Sequence, residues 1–238
     1  SFLKSLEKAS GIIETPDDMI DILRLYTDFY SLSGKKFTPL IAQTLNDLGY
    51  DETYSLTPKN SVSIPEDFDR SIQILDDSHI RLSRPVSLDF GGLGKGYMVD
   101  KIATYLSQKN ITRFLVSGSG DIFYKSTGQP ISVGLQNPRD TSQVIGEIDI
   151  TGGACCASAS NRRAWRDVHH IVDGVSGTST QEVIATWVIA DSTVIADGLA
   201  TCLFFCDPCN FPSMSFDYCI LDKDMKVHYS KGFNATFY

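Results

Sequence analysis

The chain has 238 residues, of which 42% are hydrophobic and 21% are charged, a composition typical of globular proteins with a packed core. Its 21 basic and 29 acidic residues give a formal charge of −8. This charge argues against a surface built to bind nucleic acid or anionic lipid. We therefore expect a phosphorylated ligand to be held by backbone amides and a metal rather than by a basic patch.

The sequence shows no membrane-spanning segment or secretory signal. No apolar run approaches the roughly 18–20 residues that cross a bilayer, and the N-terminus does not resemble a signal peptide. Because the sequence starts at Ser1, we expect any membrane association to depend on a leader or anchor that has been removed.

Six cysteines lie in the second half of the chain. Cys202, Cys206 and Cys209 have a spacing that faintly resembles a metal site. The apolar residues 203–205 between the first two indicate a buried element instead, and no partner pair of histidines follows. We favour structural or reduced core thiols over a zinc site, and a reducing compartment over an oxidising one.

The first part of the chain predicts two helices followed by short strands. Thr15 as a hydroxyl cap, Pro16 and the acids after it are typical of a helix start, and apolar residues at helical spacing continue to Gly34. A second helix is predicted from about Pro39 to Gly49. Strands are predicted at 72–75, 80–82 and 86–88.

The rest of the chain mixes strands and helices without a regular βαβ order. A helix is predicted after the glycine-rich turn 91–96, with an apolar side formed by Met98, Val99, Ile102, Ala103 and Leu106. Another helix is predicted from about Thr193 to Phe205. Strands are predicted at 114–116, 131–135, 144–150, 169–172 and 184–189, with a closing hairpin at 218–221 and 226–229. We predict an α+β fold in which helices pack on mixed or antiparallel sheets, in a single domain over residues 1–238.

Two segments have the chemistry of a phosphate or metal site. The glycine-rich turn 91–96 lets backbone approach a ligand, and the helix start behind it favours phosphate, although a plain tight turn remains the alternative. It matches neither a Walker loop nor a dinucleotide fingerprint. Asp197 and Thr201 are four residues apart and share a helix face. This pair suits Mg²⁺, but the pair alone favours a surface Asp beside a Thr bonded back to its helix.

Two further segments are less specific. His169 and His170 are adjacent and would point to opposite faces of a strand. One of them could act as a general base, while a satisfied or exposed pair is the more frequent explanation. Residues 157–163 are predicted to form a turn of small residues followed by Arg162 and Arg163, which either lines an anion pocket or is a solvated loop.

These segments occur in an order that resembles one protein family. Asp89–Tyr97 is close to the family motif Asp-Leu-Gly-Gly-Ile-Gly-Lys-Gly-Tyr, and 118–121 resembles its Gly-Gly-Asp strand end. Further segments that resemble family motifs are 33–39, 48–50, 157–159, 170–177 and 196–201. The order of the motifs identifies the chain as similar to the FAD:protein FMN transferases, the ApbE family, over nearly its whole length.

The resemblance implies a fold, a metal site and an FAD site. The fold would be that of the ApbE flavin transferases. Mg²⁺ would be held by the side chains of Asp197 and Thr201 and by the backbone carbonyl of Gly92. The implied FAD contacts are Asp89, Lys95 and Ile171, with Leu48, Gly49 and Tyr50 near the flavin. His170 would deprotonate the acceptor hydroxyl.

The resemblance also implies an activity and its partners. FMN would pass from FAD to a Thr or Ser hydroxyl of an acceptor flavoprotein, with formation of a phosphoester and release of AMP. The alternatives are FAD hydrolysis to FMN and AMP, or FAD binding without catalysis. Nucleic acid is not an expected partner. Family members often work outside the cytoplasmic membrane, whereas the cysteines and the lack of a leader favour a reducing compartment.

The chain departs from the family pattern in three places. The usual N-terminal strands that complete the flavin pocket are expected to precede the position where this sequence starts, so the chain would be either trimmed or a compact variant. Gly174 stands where the family has proline, and Ala159 where it has glycine. These departures bear on full activity more than on the fold.

Overall fold

The computed structural model describes residues 2–238. Its helices are α1 (Phe2–Leu6), α2 (Asp17–Leu32), α3 (Ala42–Leu48), α4 (Phe68–Ser71), α5 (Gly94–Gln108) and α6 (Thr193–Cys202). The first eight strands are β1 (Gly11–Glu14), β2 (Ile72–Ile74), β3 (His79–Leu82), β4 (Phe114–Gly118), β5 (Asp121–Lys125), β6 (Ile131–Gln136), β7 (Val144–Ile150) and β8 (Gly153–Ala159). The others are β9 (Ala164–Trp165), β10 (Val168–His169), β11 (Val172–Asp173), β12 (Thr178–Ser179), β13 (Val183–Ala190), β14 (Phe216–Asp222), β15 (Val227–Tyr229) and β16 (Ala235–Phe237). Short 3₁₀ turns lie at Pro39–Ile41, Ser160–Arg163 and Pro208–Asn210.

The described chain divides into two compact units. The first unit contains the described residues up to Phe90 together with Trp165–Thr180. The second unit contains Gly91–Ala164 and Gln181–Tyr238. The single domain over residues 1–238 stays a prediction.

The first unit is built from α2 and an antiparallel sheet in the order β1-β3-β2. The buried face of α2 contributes three aromatic side chains, Tyr26, Phe29 and Tyr30, to the core. Tyr26 stacks on Phe37 at a centroid distance of 5.1 Å and on Phe90 at 5.6 Å. Such pairs add to the free energy gained by burying the rings.

The second unit is built around a six-stranded antiparallel sheet in the order β15-β14-β13-β8-β5-β4. Helix α6 packs on β8 and β13, and α5 packs on α6, β4 and β5. A separate antiparallel sheet has the order β16-β7-β6. One hydrophobic cluster contains buried residues of both sheets, among them Trp187 of β13 and Leu135 of β6, and also includes Phe233. The α+β prediction, with antiparallel sheets and packed helices, is confirmed.

Five predictions about local structure are wrong. The strand predicted at 169–172 is divided into β10 and β11 by a bend at His170, so the two histidines do not lie in one strand. Residues 86–88 form no strand, because Pro85 before them has no N–H and the N–H of Val86 donates to the carbonyl of Leu6 in α1 instead of to a ladder partner. The Thr15 hydroxyl donates to the carbonyl of Ser78 and does not cap α2. Residues 157–159 belong to strand β8, which is paired on both sides, rather than to a turn. On α5, Met98 and Ile102 are exposed, while Val99 and Ala103 face the core.

No helix of the described chain, residues 2–238, combines the length and the hydropathy that crossing a bilayer requires.

Candidate functional site

Helices α5 and α6 approach each other closely where α5 begins. A Cβ atom added to Gly96 would lie 2.5 Å from the carbonyl oxygen of Thr193 and 2.7 Å from the Cα of Val194. Both are backbone atoms, which cannot rotate away, so the close approach requires glycine at this position. On α6, Ala196, Gly198 and Ala200 are also small and buried. The small residues bring polar side chains of one helix within reach of the other.

Three charged side chains of the second unit form a cluster at this junction. Lys95 Nζ lies 2.8 Å from Asp197 Oδ1 and 2.8 Å from Asp121 Oδ2. The other oxygen of Asp197 accepts a hydrogen bond of 3.0 Å from the backbone N–H of Gly96. Asp121 and Asp197 are both 1% exposed, so two carboxylates are buried beside one ammonium. We call these three residues the Lys-Asp-Asp cluster.

The environment of the Lys-Asp-Asp cluster raises the pKa values of Asp197 and Lys95. Burial raises the pKa of Asp197, and repulsion from Asp121 adds to the increase, while Lys95 and the Gly96 N–H partly oppose it. Burial lowers the pKa of Lys95, but attraction to Asp197 and Asp121 outweighs burial and raises it. The ammonium is therefore retained at neutral pH, and the cluster with both carboxylates ionised has a net charge of −1.

A tight hairpin places Asp121 in the cluster. Strands β4 and β5 are joined by Ser119 and Gly120, which have φ values of 58° and 104°. Two positive φ values in a two-residue loop are typical of a type I′ turn, whose twist matches that of the flanking strands. Asp121 follows directly as the first residue of β5. The resemblance marks this segment as a strand end and implies no role for Asp121, although the Gly-Ser-Gly-Asp pattern is a sequence signal for it.

The hydroxyl of Thr201 lies further along α6, close to a hydroxyl of β8. Thr201 is one turn after Asp197 on α6, as predicted, and its Oγ1 lies 3.5 Å from Oγ of Ser158 on β8. Gly92 lies in the turn that precedes α5 and is half-buried. Because the sequence pattern predicts a turn at 157–159, it does not indicate that Ser158 lies beside Thr201.

The residues of this junction fit a hard divalent cation. Outside its ion pair with Lys95, the buried Oδ2 of Asp121 has no hydrogen-bond partner among residues 2–238. The oxygen atoms available as metal ligands are those of carboxylates, hydroxyls and carbonyls, which Mg²⁺ prefers. No group of three or more His, Cys, Asp and Glu side chains in the described chain is arranged to hold a metal. A cation here would therefore also need oxygens from water or a substrate, as Mg²⁺ commonly does.

The predicted flavin segment 48–50 lies in the first unit. Gly49 ends α3 with a φ of 101°, and a Cβ there would lie 2.4 Å from the backbone nitrogen of Thr57. Leu48 is buried, and its carbonyl accepts a hydrogen bond of 2.8 Å from Trp165 Nε1. Tyr50 stacks on Trp165 with a centroid distance of 5.8 Å and an interplanar angle of 18°. Trp165 thus contacts the predicted flavin segment 48–50, and no sequence motif indicated this contact.

The two adjacent histidines have different surroundings. His169 is 5% exposed; its Nε2 bonds the carbonyl of Thr180, and its Nδ1 accepts from the N–H of Ile171 at 3.2 Å. Burial lowers the pKa of His169, and the bond to Thr180 partly opposes this. His170 is half-buried in a bend between β10 and β11. The environment of His169 is therefore that of a structural histidine.

The other predicted residues of the first unit are held by backbone contacts. Ile171 is buried and is fixed through its N–H by His169. The N–H of Asp89 donates to the carbonyl of Pro39 at 2.9 Å, and its carbonyl accepts from the Tyr26 hydroxyl at 3.4 Å. Of the predicted site residues, Lys95 and Asp197 are in direct contact, and Thr201 lies on the same helix as Asp197.

The predicted roles of Leu48, Gly49, Tyr50, Asp89, Ile171 and His170 stay predictions, as does that of the Gly92 carbonyl.

Comparison with known proteins gives a consistent result. The profile of the ApbE family matches residues 1–214. A Klebsiella pneumoniae protein named FAD:protein FMN transferase is 30% identical over 130 residues, which are 51% of this chain and 37% of that protein. A Salmonella typhimurium protein of the same name is 31% identical over 123 residues, or 48% of this chain and 35% of that protein. The matched region thus spans little more than a third of these relatives.

Solved structures share the fold over a larger part of their length. An ApbE protein from Thermotoga maritima has a TM-score of 0.82 at 22% identity, over 98% of this chain and 82% of that chain. The flavin transferase ApbE from Vibrio cholerae has a TM-score of 0.73 at 16% identity, over 97% and 80%. Since the family profile matches most of the sequence and the fold agrees, the chain belongs to the ApbE family.

Proposed function

We propose that this protein transfers FMN from FAD to a Thr or Ser hydroxyl of an acceptor flavoprotein, with release of AMP and with dependence on Mg²⁺. The Lys-Asp-Asp cluster carries the proposal, because it combines two buried carboxylates, one ammonium and an excess negative charge of one. Membership of the ApbE family and relatives named FAD:protein FMN transferase support the choice of substrate and reaction.

Asp197 and Thr201, with the carbonyl of Gly92, are the proposed metal ligands, and Asp121 adds a buried oxygen beside them. Mg²⁺ bound there would neutralise charge on the pyrophosphate of FAD. In an acidic protein, such a cation together with the Lys95 ammonium would supply the positive charge that phosphoryl transfer needs. Lys95 contributes its ammonium, which the two carboxylates keep protonated.

The proposed reaction is a displacement at the phosphorus on the FMN side of FAD. The oxygen of the acceptor hydroxyl forms a bond to this phosphorus while the bond from phosphorus to the AMP oxygen breaks. His170 takes the proton of the hydroxyl as general base, a role that suits a histidine near neutral pH. His169 is not available for this role, since both of its ring nitrogens are hydrogen-bonded and its side chain is buried.

Gly174, where the family has proline, has a structural explanation in this chain. Its N–H donates to the carbonyl of Lys36 at 2.8 Å, which proline could not do. A Cβ at Gly174 would lie 2.7 Å from the same carbonyl oxygen. The departure from the family pattern therefore reflects local packing and does not favour a different reaction.

The test is to incubate the protein with FAD and Mg²⁺, with and without a flavin-acceptor domain, and to measure AMP release and covalent flavin on the acceptor. We expect AMP together with acceptor-bound flavin. We expect Asp197→Ala to reduce metal-dependent turnover on the order of 100-fold or more, the scale for loss of one key electrostatic group.

Asp207→Ala is the matched control. Asp207 is also an aspartate of the second unit, but it is exposed and caps the short turn Pro208–Asn210, so its replacement should leave turnover unchanged. AMP without acceptor-bound flavin would show an FAD pyrophosphatase, and bound FAD without AMP a flavin-binding protein. Unchanged turnover in Asp197→Ala would refute the metal assignment.

A further inference from the structure

The two helices that carry the Lys-Asp-Asp cluster cap each other. Neither Leu93, before α5, nor Ser192, before α6, caps its own helix with a side-chain hydrogen bond. Instead, Asp197 of α6 accepts from the N–H of Gly96 in the first turn of α5. Asp100 of α5 in turn accepts from the first turn of α6. Each helix start therefore depends on a carboxylate of the other helix.

Asp100 makes three hydrogen bonds to the start of α6. Its Oδ1 accepts from the N–H of Thr193 at 2.9 Å, and its Oδ2 accepts from the N–H of Val194 at 2.9 Å and from the hydroxyl of Ser192 at 2.8 Å. A carboxylate that receives two backbone N–H groups at a helix start also interacts favourably with the helix dipole. These bonds fix α6 against α5 both along and around the helix axes.

The position of these bonds determines which residues of the two helices meet. Asp100 lies one turn after Gly96 on α5, and Thr193 lies one turn before Asp197 on α6. The contact of Gly96 with Thr193 and Val194 leaves no space for the helices to slide. The bonds of Asp100 and the bond between Asp197 and Gly96 thus hold the same relative register from two points one turn apart.

We infer that Asp100 is a positioning residue for the metal site: it holds α6 in the register that places the Asp197 carboxylate at the first turn of α5. This inference rests on the proposed function for its consequence in catalysis, but the register itself is a property of the second unit alone. A cation bound to Asp197 would compete with Gly96 and Lys95 for its oxygens. The Asp100 bonds involve none of these atoms, so they would keep the register when the cation binds.

Hydrogen exchange at single amides in metal-free protein tests the inference. The ratio of the exchange rate of the Gly96 amide to that of Val188, in the buried centre of β13, separates a local change from a general loss of stability. We expect Asp100→Ala to raise this ratio at least tenfold. Asp100→Asn keeps one acceptor oxygen and should give an intermediate value. The control Asp207→Ala should change the ratio less than twofold.

Ser192→Ala keeps the test decisive if Asp100→Ala does not fold. It removes one of the three hydrogen bonds and should raise the ratio about two- to threefold, on the scale of one modest hydrogen bond. An unchanged ratio in both Asp100→Asn and Ser192→Ala would overturn the inference, because the register would then not depend on Asp100.

Thermal unfolding measured over a series of Mg²⁺ concentrations distinguishes a failure of this inference from a failure of the proposed function. If both hold, Asp100→Asn weakens the apparent Mg²⁺ affinity at least threefold, whereas Asp207→Ala leaves it within twofold of the wild type. If the wild type shows no stabilisation by Mg²⁺, the metal part of the proposed function fails. The exchange ratio still decides the role of Asp100 in that case, since it needs neither metal nor FAD.

Discussion

The side chain of His169 has a structural role in the first unit, because both of its ring nitrogens are hydrogen-bonded. The ring of His169 connects β10 to Thr180 and to the N–H of Ile171, inside the first unit. Its bonds define a tautomer in which Nε2 carries the proton, because Nδ1 accepts from a backbone N–H. Protonation of Nδ1 would break that bond and place a charge in a buried position. His169 therefore couples the stability of the protein to pH.

Replacement of His169 by Gln should flatten the pH dependence of stability. The pKa of His169 is lowered in the folded protein, so the unfolded chain binds more protons as pH falls below about 6.5. The stabilisation by neutral His169 is fully present above that pH and is lost as pH falls toward the folded pKa. The limiting slope for one proton is about 1.4 kcal/mol per pH unit.

Urea unfolding of wild type and His169→Gln between pH 5 and pH 8 measures this effect. The difference in the free energy of unfolding, wild type minus variant, should grow as pH rises from 5 to 7 and then become constant. Gln retains a donor for the Thr180 carbonyl, which limits other losses. Parallel pH profiles of the two proteins would contradict the coupling.

The contact between α5 and α6 depends on small residues as well as on hydrogen bonds. Small side chains on α6 and Gly96 on α5 let the two helix backbones approach closely. This approach allows a backbone N–H of one helix to reach a carboxylate of the other. In the same unit, the type I′ turn of the β4–β5 hairpin delivers Asp121 to the same place.

Gly96→Ala should destabilise the second unit although alanine is the better helix former. Alanine gains roughly 1 kcal/mol in helix propensity, while overpacking typically costs about 1–3 kcal/mol or more. The cost should prevail, because the added Cβ would meet the backbone of Thr193 and Val194. We expect a lower midpoint of urea unfolding and weaker stabilisation by Mg²⁺.

Gly152→Ala is the matched control for this prediction. A Cβ at Gly152 would lie 3.8 Å from the carbonyl oxygen of Tyr124, an ordinary contact. Its effect should stay within about 0.5 kcal/mol, as for most surface substitutions. Equal stability of Gly96→Ala and Gly152→Ala would show that the helices can separate without cost.

Over the whole molecule, most cysteine side chains are buried. Cys155, Cys156, Cys202 and Cys219 are buried, Cys206 is half-buried and Cys209 is exposed, and all six are free. Burial raises the pKa of Cys155, with a contribution from Asp121, and that of Cys219, each to about 12. Because the thiolate is the reactive form, the buried thiols should be inert in the folded protein.

Titration with a chromogenic disulfide reagent at pH 8 measures this distribution. We expect fast reaction of Cys209, slower reaction of Cys206, and reaction of all six thiols in guanidinium chloride. Cys209→Ser should remove the fast phase and leave the total in denaturant at five. More than two thiols reacting within minutes in the native protein would contradict the burial of the other four.

The residue pattern fails to predict some strands for a physical reason. Strand β8 consists of small residues from Gly153 to Ala159 and lacks the β-branched and aromatic residues that mark strands. It becomes a strand because β13 and β5 pair with its two sides. Residues 86–88 show the converse case, since their apolar pattern predicted a strand, but after Pro85 they find no ladder partner.

The sequence by itself determined the main helices, about half of the strands, the family resemblance and the presence of Asp197 and Thr201 on one helix face. These features follow from local periodicity, capping and turn residues, and motif order. The tertiary structure decided that Asp121 joins Lys95 and Asp197, that Asp100 caps α6, and that His169 is the structural histidine. The contacts of Asp197 with Lys95 and Gly96 join positions about a hundred residues apart. No local pattern encodes such contacts, because they arise only when the sheet and helices of the second unit pack together.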